Sequence, residues 1–520
     1  MPAIFSHRFD TPLYTGNVYV QTGLFINGAF VDASSRTTID IFNPSTGKVI
    51  TQVSEGTAKD IDLAVAAARN AFNTTWGLKV PGSARGQLLY KLATLMEESL
   101  EELAAIEALD NGTAFGVVKG WVVPFSIGLI KYYAGWADKI SGQVIETDEG
   151  RLTYTRHEPI GVVGQIIPWN APLLMFAMKI APALAAGNTV VIKPSELTPL
   201  SALRVCSLVQ EAGFPPGVLN VVVGYGNTVG SALSSHMNID KISFTGSTLT
   251  GRKIMEAASK SNLKNITLEL GGKSPNIIFN DADVDQAVNW ACHGIFFAQG
   301  QICFAGSRIY VQSGIYDEFL AKFTVRSKAH KIGDPFGVDS YQGPQISSTQ
   351  TERVMGYIKS GVDQGAKVHL GGQRHGEQDG NFITPTIFTD TRPDMKIVQE
   401  EIFGPVSVVI KFEDQEDVIQ QANDTSTVFL PFCSAKSTQR IYPVYGLAAA
   451  VFTQDISQAF EVGHALKAGT VWVNCYNEVH AAVPFGGFKQ SGIGREYGSY
   501  ALEHYVNVKA MHINIKHKMG

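Results

Sequence analysis

The sequence predicts an α/β protein built on a mostly parallel sheet, and three observations carry that prediction. Short apolar runs alternate with stretches of helical spacing from residue 161 to residue 279. Such alternation implies βαβ units and parallel strands buried on both faces. A second section of the same character runs from about residue 272 to residue 470, with no long flexible linker before it. The 45% hydrophobic and 17% charged content of the 520 residues is that of an ordinary globular chain, long enough for two to four domains.

The elements follow in order. Residues 161–167 form a Val- and Ile-rich strand, and 172–186 carry apolar residues at helical spacing. Residues 189–192 are a second buried strand and 200–212 a second helix. Strands at 219–223, 242–244 and 266–270 follow, with helices at 229–235 and 251–259 between them. The second section opens with a strand at 276–279 and a helix after Asp283. In sheets of this kind ligands sit beyond the carboxyl ends of the strands.

The bulk numbers exclude several classes. A net charge of −5 gives no electrostatic case for nucleic acid or an anionic membrane. The five cysteines form no C-x-x-C pair and no Cys/His cluster of metal-ligand spacing, so a reducing compartment and no metal are expected. The first 25 residues lack a signal-peptide apolar core, and no apolar run reaches the roughly 18–20 residues of a membrane helix. The chain ends His-Lys-Met-Gly, without a peroxisomal or prenylation signal, so the cytosol is expected.

Several short segments carry chemistry. Cys303 follows Gly300 in F-A-Q-G-Q-I-C-F-A-G. A helix beginning at Cys303 would lower the thiol pKa and favour the thiolate, although a lone Cys is more often a small buried apolar residue. Glu269 ends an apolar strand just before Gly271-Gly272, where a carboxylate reaches into a cleft or joins a structural ion pair. Asn170 in P-W-N-A-P could donate to an oxyanion or form an Asx-turn. F-T-G-S-T-L-T-G at 244–251 could hold a phosphate on backbone amides and a helix N-terminus, but it is not G-x-G-x-x-G. Lys193-Pro194-Ser195-Glu196 follows a strand end and could bond a ribose or form a capped turn.

Taken together, P-W-N, K-P-S-E, F-T-G-S-T-L-T-G, L-E-L-G-G-K-S-P, G-Q-I-C-F-A, E-E-I-F-G-P-V at 400–406 and P-F-G-G-F-K-Q-S-G-I-G-R-E at 484–496 resemble the aldehyde dehydrogenase superfamily. The similarity runs from about Leu24 to Ala510 and looks nearest to the broad-specificity, non-acylating, NAD-linked branch. It implies a Rossmann-type cofactor domain (1–131 and 157–270), an α/β catalytic domain (271–480) and a β oligomerisation arm (132–156 and 497–520), hence a homodimer or homotetramer. It also implies roles. Cys303 attacks the aldehyde, Asn170 and the Cys303 N–H hold the thiohemiacetal oxyanion, and transfer to the nicotinamide leaves a thioester. Glu269 activates the water that hydrolyses it, and Lys179 assists proton transfer. Lys193 and Glu196 hold the adenosine ribose, with Glu196 favouring NAD over NADP by repelling a 2′-phosphate. Gly246, Ser247 and Gly251 lie at the pyrophosphate, with Trp169 nearby. Glu401 binds the nicotinamide ribose and Phe403 packs on the nicotinamide.

Two departures from the family pattern matter. Ala171, Met178 and Val479 stand where relatives acting on small aldehydes carry aromatics that line the substrate tunnel. A wide tunnel for a bulky or aromatic aldehyde is expected, unless Phe176, Phe304 and Tyr476 refill the space. Residues 427–444 interrupt the family run N-D-T-x-Y-G-L-A-A-A-V-F, either as a surface loop or as a translated intron; the rejoining of the flanks favours the second. Rival functions are a CoA-acylating enzyme, against which Glu269 argues, and a catalytically silent protein of the same fold, against which the joint presence of Cys303, Glu269 and Asn170 argues.

Overall fold

The computed structural model describes residues 2–376, 380–424, 444–516 and 518. Its first large sheet has eight strands in the order Gly492–Ile493, Asn265–Glu269, Lys241–Thr245, Val162–Ile166, Thr189–Lys193, Leu219–Val221, Leu24–Ile26, Ala29–Val31. The central five pair in parallel, and antiparallel strands close both edges. The central strands Val162–Ile166, Thr189–Lys193 and Lys241–Thr245 are buried along their whole length, which is why they read as continuous apolar runs rather than alternating ones. Helices Pro172–Ala185, Leu200–Ala212 and Thr248–Lys260 connect them. Helix Leu200–Ala212 stops at Gly213 in the left-handed conformation that a residue without Cβ adopts cheaply.

The second sheet has seven strands in the order Lys367–Leu370, Thr386–Thr389, Val406–Phe412, Arg308–Gln312, Pro275–Ile278, Ala448–Phe452, Thr470–Val473, parallel except for the first pair. Its helix Val284–Phe296 starts where Asp283 accepts the Gln286 N–H as an N-cap. A third sheet pairs Val506–Asn514 with Arg151–Pro159, and that strand with Val144–Ile145. Val144, Ile145, Leu152, Val508 and Ile513 are exposed on it. Residues 132–136 are still helical, in Val123–Trp136, which packs on Gly82–Glu98 and Pro172–Ala185.

Two expectations need correction or bounding. The continuous helical stretch Phe115–Trp136 spans 22 residues at mean hydropathy 1.2, so one segment does pass the length and composition test for crossing a membrane. It packs on neighbouring helices, and its Lys119 and Lys131 pair with Glu101 and Glu97, which is how an apolar core helix passes the same test. The interruption at 427–444 lies outside the described residues apart from Val444. The flanks are anchored: Arg308 donates to the carbonyls of Gln421, Ala422 and Asp424, and Val444 accepts from the Gln490 N–H.

Candidate active site

Strand register brings the first group of residues together. Ile166 lies opposite both Lys193 and Phe244, and Thr245 opposite Glu269, so these strands end along one edge. Trp169, Asn170, Lys193, Gly246, Ser247 and Glu269 all stand at or just past those ends. The Pro168–Asn170 turn is held from behind. Asn111 Nδ2 donates to the Trp169 carbonyl at 2.8 Å and to the Asn170 carbonyl at 3.2 Å.

The second sheet supplies Cys303, on the loop before strand Arg308–Gln312. Ala298, Gln299 and Gly300 take consecutive positive φ values of 47°, 60° and 69°. Left-handed backbone at two non-glycine residues is unfavourable and persists only where surroundings over-determine it. Here Gln299 Nε2 donates to the Gly112 and Pro344 carbonyls, and the Gln299 carbonyl accepts from Gln345. Past the nucleophile, Tyr476 Oη donates to the Phe304 carbonyl at 2.6 Å.

No helix begins at Cys303. Only turns fit between residue 301 and the strand at Arg308, closed by Ala305 N–H on the Ile302 carbonyl. The thiol is therefore not acidified by a helix dipole. Burial pushes it well up, the adjacent Glu269 carboxylate pushes it further, and its own backbone N–H pulls it back only partly. Both of the larger effects favour the protonated thiol.

Glu269 is that neighbour. Burial raises its carboxyl to about 7, against the smaller opposing pull of the Cys303 thiol, Lys179 and Thr245. Neither of its oxygens has a hydrogen bond of full geometry among the described residues. Gly271 and Gly272 make the approach possible. A Cβ on Gly272 would stand 2.6 Å from the Cys303 carbonyl oxygen, and one on Gly271 would stand 2.1 Å from a Glu401 oxygen. Glu401 accepts from the Gly272 N–H at 3.2 Å, and burial lifts its carboxyl to about 7.

Two cavities meet at Cys303, Asn170 and Met175. One, of about 460 Å³, is walled by Trp121, Trp290, Phe297, Phe304, Ala171 and Val479. The other, of about 160 Å³, is walled by Trp169, Gly246, Ser247, Glu269, Glu401 and Phe403. Trp169 and Phe403 meet edge to face at 5.3 Å. Asn170 Nδ2 bonds the Gln301 carbonyl at 2.8 Å, which brings its amide beside the nucleophile loop.

The remaining predicted residues stand outside these cavities. Lys193 Nζ donates to Glu196 at 2.9 Å and to the Pro194 carbonyl at 3.0 Å, at the end of its strand. Gly251 packs under Leu270, where a Cβ would come within 2.9 Å of a methyl. Lys179 is fully buried, bonded to Ser243 and Glu496. Met178 does not line the tunnel, contrary to expectation: it is buried in the core one helical turn beyond Met175, which does. Phe176 and Tyr476 are buried and absent from the wall as well, so of the three candidate refilling residues only Phe304 is there. Gln350, Arg353 and Thr245 line the smaller cavity and Trp121, Trp290 and Phe297 the larger, none of them singled out from the sequence.

Comparison with known proteins bears directly on this arrangement. The sequence model of the aldehyde dehydrogenase family matches residues 30–511. The chain belongs to the aldehyde dehydrogenase family. An aldehyde dehydrogenase of Agaricus bisporus is 64% identical over 519 residues, covering all of both chains. Mouse cytosolic aldehyde dehydrogenase 1 is 49% identical over 98% of each. The solved NAD+ complex of aldehyde dehydrogenase from Bacillus cereus superposes with a TM-score of 0.90 at 48% identity, covering 95% of this chain and 97% of that one. As a member of this family the protein is an oxidoreductase that acts on aldehydes.

Proposed function

We propose that the protein oxidises a bulky or aromatic aldehyde to its carboxylate through a covalent adduct on Cys303, with NAD as the electron acceptor. The observation that carries the reading is the meeting of two unlike cavities at one sulfur. The smaller cavity fits a nicotinamide riboside: Trp169 and Phe403 offer aromatic walls, Glu401 offers a carboxylate to ribose hydroxyls, and Ser247 caps the helix Thr248–Lys260 that would face a pyrophosphate. Glu196, held by Lys193, sets a negative charge where a 2′-phosphate would add another, which favours NAD over NADP. The NAD+ complex of the Bacillus cereus relative supports the same cofactor. When bound, NAD supplies the acceptor for the hydrogen and electron pair that leave the aldehyde carbon.

The chain's own residues do the rest. Glu269 takes the thiol proton as Cys303 Sγ bonds the carbonyl carbon. The Asn170 amide and the Cys303 N–H stabilise the oxyanion. Loss of the hydrogen with its electron pair leaves an acyl thioester on Cys303. Glu269 then deprotonates a water, which attacks that carbon and releases the carboxylate and the thiol. Lys179 and Glu496 lie behind Glu269 with Ser243 and supply a polar route for its proton. A free, water-activating carboxylate favours hydrolysis over transfer to CoA. Replacing Asn170 by Ala should lower kcat by about 10²- to 10³-fold, with NAD affinity measured by fluorescence unchanged; an unaltered kcat removes the amide from the reaction.

The larger cavity sets the substrate class. Trp121 meets Phe297 edge to face at 5.6 Å, with Trp290 and Phe304 also in the wall. Among the described residues no Lys or Arg lines it, and Glu107 and Glu478 do. A neutral aromatic aldehyde fits; one bearing a distal carboxylate does not. In a steady-state aldehyde series with NAD, kcat/KM should rank benzaldehyde-type substrates above acetaldehyde by about 10-fold or more, since each buried methylene is worth about 0.8 kcal/mol. Semialdehydes carrying a carboxylate should rank last. Preference for acetaldehyde would overturn the aromatic assignment.

The eight-, seven- and three-stranded sheets support division into a cofactor domain (1–131 and 157–270), a catalytic domain (271–480) and an arm (132–156 and 497–520), with helix Val123–Trp136 and strand Arg151–Pro159 crossing the arm's bounds. The exposed apolar residues on the arm sheet support a homodimer or homotetramer. The name of the mouse relative supports the cytosol.

A further inference from the structure

The turn Asn111–Thr113 ends helix Leu100–Asn111 and touches both halves of the reaction centre. Asn111 is 1% exposed, and its side chain has one consistent orientation. Its oxygen accepts from the N–H and hydroxyl of Thr113. Its nitrogen faces two carbonyls, those of Trp169 and Asn170, and only an amide N–H₂ can donate to both. Gly112 follows with φ of +84°. Its carbonyl accepts from Gln299 Nε2 at 3.0 Å, on the strained loop four residues before Cys303. One short turn thus grips the segment carrying Asn170 and the segment carrying Cys303, which come from different sheets.

We infer that Asn111 is a positioning residue: through the Trp169 and Asn170 carbonyls it fixes the Asn170 amide against the Cys303 loop, while Gln299 ties that loop to the same turn. The chemistry requires it because the two oxyanion donors come from segments 133 positions apart in sequence, and a misplacement of about 1 Å costs about 10²-fold in rate. Among the described residues the Pro168–Asn170 turn has one other side-chain tether of this kind, a long 3.4 Å bond from Thr198 to the Trp169 carbonyl. Asn111 is, among the described residues, the donor bonded to the Asn170 carbonyl, so its loss removes that bond.

This rests on Asn170 being an oxyanion donor, and the test separates the two readings. Asn111→Ala, Asn170→Ala and the double variant are compared with the parent enzyme in kcat, in KM for NAD and in thermal unfolding. Asn111→Ala should lower kcat by about 10²-fold in the parent and by less than about 3-fold in the Asn170→Ala background, because a residue acting through another loses its effect when that one is gone. KM for NAD should move by less than about 3-fold. An equal drop in both backgrounds, or none in the parent, overturns the inference. If Asn170→Ala itself leaves kcat unchanged, the oxyanion assignment fails instead. Should Asn111→Ala not fold, Asn111→Asp keeps the volume and the Thr113 bonds while removing both donors. The same non-additivity is expected of it, and additivity overturns the inference equally.

Discussion

Cys303→Ala should abolish NADH formation from every aldehyde, to a residual rate roughly 10⁵- to 10⁶-fold below the parent, as removal of a covalent nucleophile does elsewhere. The size follows from the geometry. The lining residues the two cavities share are Cys303, Asn170 and Met175, and among these only the Cys303 thiol can form a thiohemiacetal with a carbonyl carbon. Glu269 keeps its position in the variant, since its strand is fixed by pairing with Lys241–Thr245, but an untethered water replaces a positioned thiol only poorly as the nucleophile that turns the aldehyde carbon into a hydride donor. NAD binding should survive, because Trp169, Phe403 and Glu401 do not depend on the thiol. The assay is aldehyde-dependent NADH formation alongside NAD titration. A variant that binds NAD and still turns over at the parental rate removes Cys303 from the chemistry.

The sequence was most informative where structure is local. Each strand of the first section appears within a residue or two of its predicted place, because strands buried on both faces are written as apolar runs bounded by turns. Glu269, Asn170 and Gly246 could be picked out because each follows such a run. What the sequence did not disclose depends on contacts between distant segments. Glu496 lay inside a recognised motif, yet its role next to Lys179 arises from a bond across 317 positions. Asn111 sits in an unremarkable D-N-G-T turn whose partners are 58 and 59 residues away. The left-handed backbone at Ala298 and Gln299 has no compositional signal, since neither residue prefers it. Met178 failed for a related reason: helical spacing tells which residues share a face, but not how far along the helix the cavity extends. Whether a helix starts at Cys303 was open in the sequence, and the strand at Arg308 begins too soon for one.

Glu269→Gln should separate the two halves of the reaction. Thioester formation produces one NADH from NAD, and hydrolysis needs a base. The amide keeps the shape but cannot accept a proton, so steady-state kcat should fall by about 10²- to 10⁴-fold, and some of that fall belongs to thiol activation. In the parent, the carboxyl raised to about 7 is protonated and inactive as a base below that pH. The rate should therefore climb as pH rises through about 7, and the variant should lose this dependence. The sign for stability is opposite. A carboxyl lifted from 4.5 to about 7 binds its proton more tightly in the folded than in the unfolded chain. No difference arises below about 4.5, where both states are protonated. As pH rises from there to about 7 the unfolded chain gains by ionising first, so the fold loses about 3 kcal/mol at most. Glu269→Gln, with no charge to bury, should thus unfold at a higher temperature than the parent above pH 7 and nearly the same temperature near pH 5. A variant that is slower but no more stable at high pH means the buried charge is not held at the cost argued here. One that hydrolyses the thioester at the parental rate, with the pH profile intact, means another group is the base.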